Sequence, residues 1–302
     1  MIRGRAMDDL DTRLLVDLLR DRIRPNRSLG QHFLVDDAVI SRSVALASCA
    51  NPLGSDSHVL EIGPGPGSLT LALLRTGARV TAFEVDGEAV SHLQRVFGDA
   101  DGHLDLHQAD ALEGDWPADV THMVANLPYQ ISSPVLERIQ RHHAKHPMAA
   151  VVLLLQEEFA ERMAIGRNHA ALSPLGLSLW LDFDVELDAK VPPHSFSPSP
   201  SVSSRLVLLR PVDREPGIDR RMFRAITQHC FANRRRKLRT LLSKPPSRLS
   251  RIKGWHRQRW AEAVDTVIQA APEGLPEGWL DLRPENLETS NWVSLTKAIS
   301  SN

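Results

Sequence analysis

Five short apolar runs, at residues 58–62, 79–85, 104–108, 122–125 and 149–155, recur along the chain with helical segments between them. That alternation predicts a doubly wound α/β sheet. Two further runs, 175–187 and 203–209, have no helix-length segment between them and predict an antiparallel pair at the sheet edge. Ahead of the sheet, Leu10, Leu14, Leu15, Leu18 and Leu19 fall at helical spacing with charges between them, which predicts a helix packed on the main body. A stretch containing Pro, Asp and Gly at 211–217 reads as a linker. Beyond it strand alternation stops, and helices are expected at 221–242 and 257–270. The chain thus divides into an N-terminal extension (1–27), an α/β domain (28–212) and a small all-helical domain (213–302), with no internal repeat. The longest apolar run, 148–155, is eight residues, against roughly 20 for a bilayer span, so no membrane association is expected.

The 302 residues are 42% hydrophobic and 24% charged, which excludes disordered, collagen-like and coiled-coil classes. The first residues lack the apolar stretch of a secretory signal, so a cytoplasmic location is expected. Cys49 and Cys230 have no paired spacing, and neither a disulfide framework nor a metal site is expected. The adjacent histidines His142 and His143 read as a polar helix end on the surface. Phenylalanine occurs eight times and tryptophan six, but the only tyrosine is Tyr129.

The net charge of −1 averages unlike parts. From residue 213 onward there are 17 Lys and Arg against 10 Asp and Glu, and the preceding residues hold 19 against 27. Residues 220–259 contain 14 basic side chains and no acidic one. A single-sign field of that length suits phosphate neutralisation, and arginine forks bind phosphate bidentately. The alternative is a solvated basic face. The candidate RNA contacts are Arg221, Arg224, Arg234, Arg235, Arg236, Lys237 and Arg239.

After the first strand comes Glu61-Ile62-Gly63-Pro64-Gly65-Pro66-Gly67, followed by a helical run. Alternate glycines let backbone approach a ligand and expose N–H groups at a helix start. Taken alone, the loop is equally a tight strand-to-helix turn. The second strand ends in Glu84, 21 residues past Gly63, where a carboxylate binds ribose hydroxyls in such folds. The third is followed by Asp110 on the same rim. The spacing is not that of the dinucleotide fingerprint, which favours S-adenosylmethionine over NAD.

The fourth strand runs into Asn126-Leu127-Pro128-Tyr129, at the end where open α/β sheets bind ligands. An exocyclic adenine amine is a poor nucleophile because its lone pair is delocalised into the ring. An amide oxygen and a backbone carbonyl can accept its two hydrogens and leave the lone pair facing an electrophile. Pro128 fixes the backbone and adds no competing donor. The Tyr129 ring can stack on a base. The alternative is a turn with an Asn cap and a packed Tyr.

Several motifs together resemble the small-subunit ribosomal RNA adenine dimethyltransferase family. They are Ser28-Leu29-Gly30-Gln31-His32-Phe33-Leu34, the glycine loop, Asn126-Leu127-Pro128-Tyr129, the run Phe196-Ser197-Pro198-Ser199-Pro200-Ser201-Val202-Ser203-Ser204, and Phe231-Ala232-Asn233-Arg234-Arg235-Arg236-Lys237, which looks like the family's basic helix. Val191-Pro192-Pro193 and Gln130-Ile131-Ser132-Ser133-Pro134 look closer to its archaeal and eukaryotic branch. The resemblance implies a Rossmann-like methyltransferase fold with a seven-stranded, mostly parallel sheet. It implies S-adenosylmethionine as cofactor and transfer of four methyl groups to N6 of two adjacent adenosines near the 3′ end of small-subunit rRNA. The implied partner is an immature small ribosomal subunit, bound by a monomer active in its assembly. Gln31, His32, Leu34, Gly63, Gly65, Gly67, Glu84, Asp110 and Asn126 would form the cofactor site. His32 and Leu34 would border the methionine end, Glu84 the ribose and Asp110 the adenine amine. Asn126, Leu127, Pro128, Tyr129 and Phe196 would form the catalytic site, the two aromatics closing on the target base.

One family stretch, Tyr-x-Arg-Leu-Ser, is replaced by His169-Ala170-Ala171-Leu172-Ser173. Two alternatives stay open. One is a large-subunit rRNA adenine methyltransferase, and the other is a non-catalytic RNA-binding assembly or transcription factor on the same fold.

Overall fold

The computed structural model describes residues 9–21, 31–49, 51–98, 100–165, 172–270 and 272–301. Residues 28–30 of the first motif, His169, Ala170 and Ala171, and most of the N-terminal extension lie outside the described residues.

In chain order the elements begin with α1 (Thr12–Arg20), β1 (Phe33–Leu34), α2 (Asp37–Ala47), β2 (His58–Ile62), α3 (Ser68–Leu74), β3 (Arg79–Glu84) and α4 (Gly87–Phe97). They continue with β4 (Leu104–Gln108), β5 (His122–Asn126), α5 (Ser132–His143), β6 (Ala150–Gln156), α6 (Glu157–Met163), α7 (Pro174–Trp180) and β7 (Phe183–Val191). The last are β8 (Phe196–Ser197), β9 (Ser204–Pro211), α8 (Arg220–Ala232), α9 (Leu238–Leu242), α10 (Arg257–Ala270) and α11 (Thr289–Ser300). The chain forms two units, Met1–Glu161 with Asp184–Pro211, and Arg162–Phe183 with Val212–Asn302.

The first unit is built on a seven-stranded sheet of order β4-β3-β2-β5-β6-β9-β7. The pairs from β4 to β6 are parallel, and β6 pairs antiparallel with β9. Strand order reverses between β2 and β5, the place where open sheets leave a crevice at their carboxyl ends. Continuous apolar runs form the central strands because both faces are covered: every residue of β2 is buried, as are the first six of β6. Asp36 and Asp86 start α2 and α4 by accepting backbone N–H bonds from Ala38 and Glu88, each at 3.0 Å. The expected N-terminal helix is α1. Its Leu15 joins the main core, and Val16 and Leu19 pack with Phe33.

One sequence expectation is corrected at the edge. The run 175–187 is not a strand but α7, a turn, and then β7. Leu175, Leu177, Leu179 and Leu181 alternate as a strand would, yet local capping decides otherwise. The Ser173 hydroxyl accepts the Gly176 N–H at 2.9 Å, and Pro174 sits in the first turn. The strand lies further along, as β7 beside β9.

The second unit is helical. Met222, Phe223, Ile226 and Cys230 of α8 share a core with Trp260, Trp292 and Leu295. Leu177 and Leu181 join that core, so residues 162–183 pack with the C-terminal helices although they fall within 28–212. The helix expected over 221–242 is broken. Helix α8 ends at Asn233, whose backbone leaves the helical region (φ −131°, ψ 43°), and the chain turns before α9. The turn lets the Leu238 N–H reach the Leu282 carbonyl at 2.9 Å and buries Leu238, Leu241 and Leu242. Arg234, Arg235, Arg236 and Lys237 therefore occupy a turn rather than a helix.

Candidate functional site

The carboxyl ends of β2, β3, β4 and β5 open into one pocket, part of it continuous with solvent. Its walls include Gln31, His32, Leu34, Gly63, Gly65, Glu84, Asp110, Asn126, Leu127, Pro128, Tyr129 and Phe196. Four motifs far apart in sequence thus meet at the switch point.

Positive φ at Gly63 (70°), Gly65 (54°) and Gly67 (90°) wraps the loop around the end of β2. The three have different surroundings. Gly63 and Gly65 line the pocket. Gly67 lies beneath it, where a Cβ would come within 2.6 Å of the Phe97 ring and 2.8 Å of Leu93. Its small size serves the packing of α4 against the loop.

Glu84 is buried at the end of β3, with one oxygen 3.2 Å from the Gly65 N–H and the other 2.9 Å from the Asp86 N–H. Burial pushes its carboxyl above the usual range, and these backbone donors oppose that rise. Each oxygen retains acceptor capacity for a ligand hydroxyl. Beside it Val85 is 51% exposed and offers an apolar face to the same pocket. Glu61, on the neighbouring strand β2, is buried in the pocket wall and accepts the Thr70 hydroxyl at 2.7 Å. Burial, with the nearby Glu84 charge, pushes its carboxyl up to about 8.

Asp110 is exposed on the rim, in a loop turned back on itself. Its side chain accepts the Leu112 N–H at 2.8 Å. Arg138 of α5 braces that loop by donating to the Leu112 and Gly114 carbonyls, with its guanidinium 4.8 Å from the Trp116 ring centre. The next turn of α5 carries His142, expected at the surface. It is half-buried against Trp116 and His146, and burial, with the neighbouring His146 and Arg138, pushes its pKa down to about 4. No group of three metal-ligating side chains occurs among the described residues.

Residues 126–129 leave β5 at the crevice. The Asn126 amide donates to the His32 carbonyl at 3.3 Å, which leaves its oxygen as an acceptor. The Pro128 carbonyl accepts the Ile131 N–H at 3.1 Å. The Tyr129 ring stacks on His32 with centroids 5.9 Å apart, and its hydroxyl lies 3.0 Å from that of Ser204. His32 is tied in turn to the Pro198 carbonyl at 2.8 Å. Phe33 and Leu34 pair as β1 with Ser197 and Phe196 of β8 in a two-stranded ribbon. The two motifs that flank the domain in sequence are therefore one structure at the pocket.

A donor and acceptor set of this kind fits an adenosyl group. The pocket wall has a buried carboxylate, bare glycine backbone and the apolar Val85, Ile62 and Leu69, and no Lys or Arg among the described residues lines it to receive a pyrophosphate. Sequence reasoning missed Glu61, Val85 and Arg138. Glu61 stands in the glycine loop itself, and Val85 is the apolar neighbour of a strand-terminal carboxylate. Nothing in the sequence marks Arg138, because its partners are backbone carbonyls.

In the helical unit the basic residues divide. Arg221, Arg234, Arg235 and Arg236 are exposed. Lys237 pairs with Asp281 at 2.9 Å and Arg239 with the same carboxylate. Arg224 is half-buried, with Nε 3.1 Å from the Ser178 hydroxyl.

Comparison with known proteins gives a consistent picture. Residues 22–253 match the family model described as ribosomal RNA adenine dimethylase. A protein of Methanopyrus kandleri named "Probable ribosomal RNA small subunit methyltransferase A" is 37% identical over 92% of this chain and 94% of its own. A ribosomal RNA small subunit methyltransferase A of Synechococcus sp. (strain RCC307) is 32% identical over 90% of this chain and 95% of its own. Among solved structures, a dimethyladenosine transferase from Plasmodium falciparum has a TM-score of 0.71 at 22% identity, covering 88% of this chain and 96% of its own. The 23S rRNA methyltransferase ErmE gives 0.57 at 24%, covering 88% and 98%; these two likenesses support the fold.

Proposed function

The chain belongs to the ribosomal RNA adenine dimethylase family, and on that premise we propose that it dimethylates N6 of two adjacent adenosines near the 3′ end of small-subunit rRNA. It is an S-adenosylmethionine-dependent methyltransferase. The observation that carries the reading is the meeting of residues 126–129 with Gly63, Gly65 and Glu84 in one pocket at the sheet's switch point. Small-subunit relatives that align over nearly their full length favour this substrate over the large subunit.

Bound S-adenosylmethionine supplies an electrophilic sulfonium methyl with a neutral leaving group. The chain's own residues supply orientation. Glu84 takes the ribose hydroxyls, Gly63 and Gly65 bring backbone against the ligand, and His32 and Leu34 border the methionine end. Gln31, whose amide donates to Asp86 at 2.9 Å, steadies that edge, and Asp110 faces the adenine amine.

The Asn126 oxygen accepts one hydrogen of the target amine. The acceptor for the second is assigned to the Leu127 carbonyl, between Asn126 and Pro128 on the pocket wall. The nitrogen lone pair is then directed toward the methyl group. Tyr129 and Phe196 stack on the base. Positioning and fixed dipoles supply most of the rate.

The RNA contacts are assigned to the basic residues of 213–302, and catalysis to the pocket, whose residues all fall within 28–212. The substrate form is an immature small subunit, met by a monomer in the cytoplasm. Incubation with methyl-labelled cofactor and unmethylated subunits tests the reading. Label in small-subunit rRNA supports it, and label confined to large subunits contradicts it.

A further inference from the structure

The 14 basic residues at 220–259 are not equally available to a partner. Arg220 is held by Asp182 at 2.7 Å and by Asp213 at 3.4 Å. Arg224 is turned toward Ser178, and Lys237 and Arg239 share Asp281. Arg259 stacks over Trp255 at 4.4 Å and donates to the Gly254 carbonyl at 3.0 Å. By contrast Arg248, Arg251, Lys253 and Arg257 have no side-chain partner among the described residues, and all four are exposed.

The first three lie on an unusual piece of backbone between α9 and α10, and Arg257 opens α10. Pro246, Leu249, Ile252 and Trp255 are buried, and the two residues between each pair are exposed. The backbone follows the same three-residue step. N–H groups of Leu249, Ile252 and Trp255 donate to the carbonyls of Pro246, Leu249 and Ile252 at 3.0, 2.9 and 3.1 Å. Residues 249–251 form a 3₁₀ turn, Ile252 is extended (φ −99°, ψ 120°) and Gly254 is left-handed (φ 81°), so the cations leave the segment at unequal intervals. The apolar residues anchor the segment in the unit's core. The outward positions then present one cation per step, with the Ser247 and Ser250 hydroxyls among them.

We propose that residues 244–257 form a second phosphate-binding strip, taking the sugar–phosphate backbone of RNA independently of the turn at 234–236. This rests on the family reading. Three features select RNA over other polyanion-bearing surfaces. The cations are strung along one segment at intervals of three, two and four residues, three of the four are arginines with forks matched to phosphate, and hydroxyl donors stand beside them. No apolar side chain of the strip is exposed, so it lacks the anchor that a membrane surface or a protein hot spot needs.

The test replaces Arg248, Arg251 and Lys253 with glutamine and follows binding of the full chain to unmethylated immature small subunits across salt concentrations. The slope of log affinity against log salt should fall by roughly 2–3, with about a tenfold or greater loss at low salt. Far-UV circular dichroism and the urea midpoint should be unchanged, which establishes that the helical unit is folded. Arg248→Lys with Arg251→Lys should retain the wild-type slope, because charge is kept. Combining the glutamine variant with glutamine at Arg234, Arg235 and Arg236 should add the two slope changes. An unchanged slope in the strip variant, with wild-type protein binding normally, overturns the strip alone. Wild-type protein that binds no small subunit overturns the proposed function and the strip together.

Discussion

The Tyr129 hydroxyl lies 3.0 Å from the hydroxyl of Ser204, the buried residue that opens β9. The bond ties the far end of the stacking ring to the sheet, while His32 packs near the ring itself at 5.9 Å. A base entering the pocket then meets a ring whose plane is already set. A neutral hydrogen bond is worth about 0.5–1.5 kcal/mol, so Ser204→Ala should lower methyl transfer by roughly two- to tenfold. Tyr129→Phe should cost the same, and the double variant no more than either one. Additive losses in single-turnover rates would show that Ser204 does not act through the phenol.

Removing the ring should matter more. Tyr129→Ala loses base stacking worth about 1–3 kcal/mol, a roughly 5- to 150-fold fall in transfer, with cofactor affinity nearly unchanged. Equal losses in kinetics and in calorimetric cofactor binding would contradict a stacking role.

Glu84 should report on the cofactor instead. Glu84→Ala removes the acceptor assigned to the ribose, and hydrogen bonds to a charged group are worth about 1.5–3 kcal/mol. The dissociation constant for S-adenosylmethionine should rise by about 10- to 150-fold. An unchanged constant would remove Glu84 from the site.

Glu61 gives a pH signature. Its carboxyl titrates near 4.5 when unfolded and at about 8 in the folded protein, so across that window the unfolded state binds fewer protons. Stability from this group is therefore full below pH 4.5 and is lost as pH rises toward 8. Glu84 contributes in the same direction. Denaturant unfolding of Glu61→Gln should fall less steeply with pH than that of wild type. Identical slopes would mean that Glu61 is ionised when folded.

Gly67→Ala should destabilise the fold through two effects. One is the backbone φ of 90°, and the other is the clash with Phe97 and Leu93. Gly217 has the same φ, but a Cβ added there would meet nothing within 4 Å, so Gly217→Ala isolates the first effect. The difference between their urea midpoints should correspond to about 1–3 kcal/mol of overpacking. No difference would leave packing out of the account.

Much of the sheet and pocket was legible because the relevant signals are local. Apolar runs bounded by polar residues marked β2 to β6, and Gly63, Glu84, Asp110 and residues 126–129 stand at strand ends, where their order implies one rim. Two errors share a cause. The leucines at 175, 177, 179 and 181 alternate as a strand, and Asn233 interrupts an otherwise helical pattern, but a Ser173 cap and a Leu238–Leu282 bond decided those segments. Contacts that depend on distant backbone left no trace in sequence. The pairing of Leu34 with Phe196, the bracing of the Asp110 loop by Arg138 and the tying of Lys237 and Arg239 by Asp281 are of that kind.

The most direct test is nucleoside analysis of the rRNA from unmethylated immature small subunits treated with this protein and S-adenosylmethionine. Digestion followed by mass spectrometry, with the modified positions mapped, should show N6,N6-dimethyladenosine at two adjacent sites near the 3′ end, and Asn126→Ala should abolish both. Absence of dimethyladenosine from the small-subunit RNA, or its appearance only in large-subunit RNA, would contradict the account.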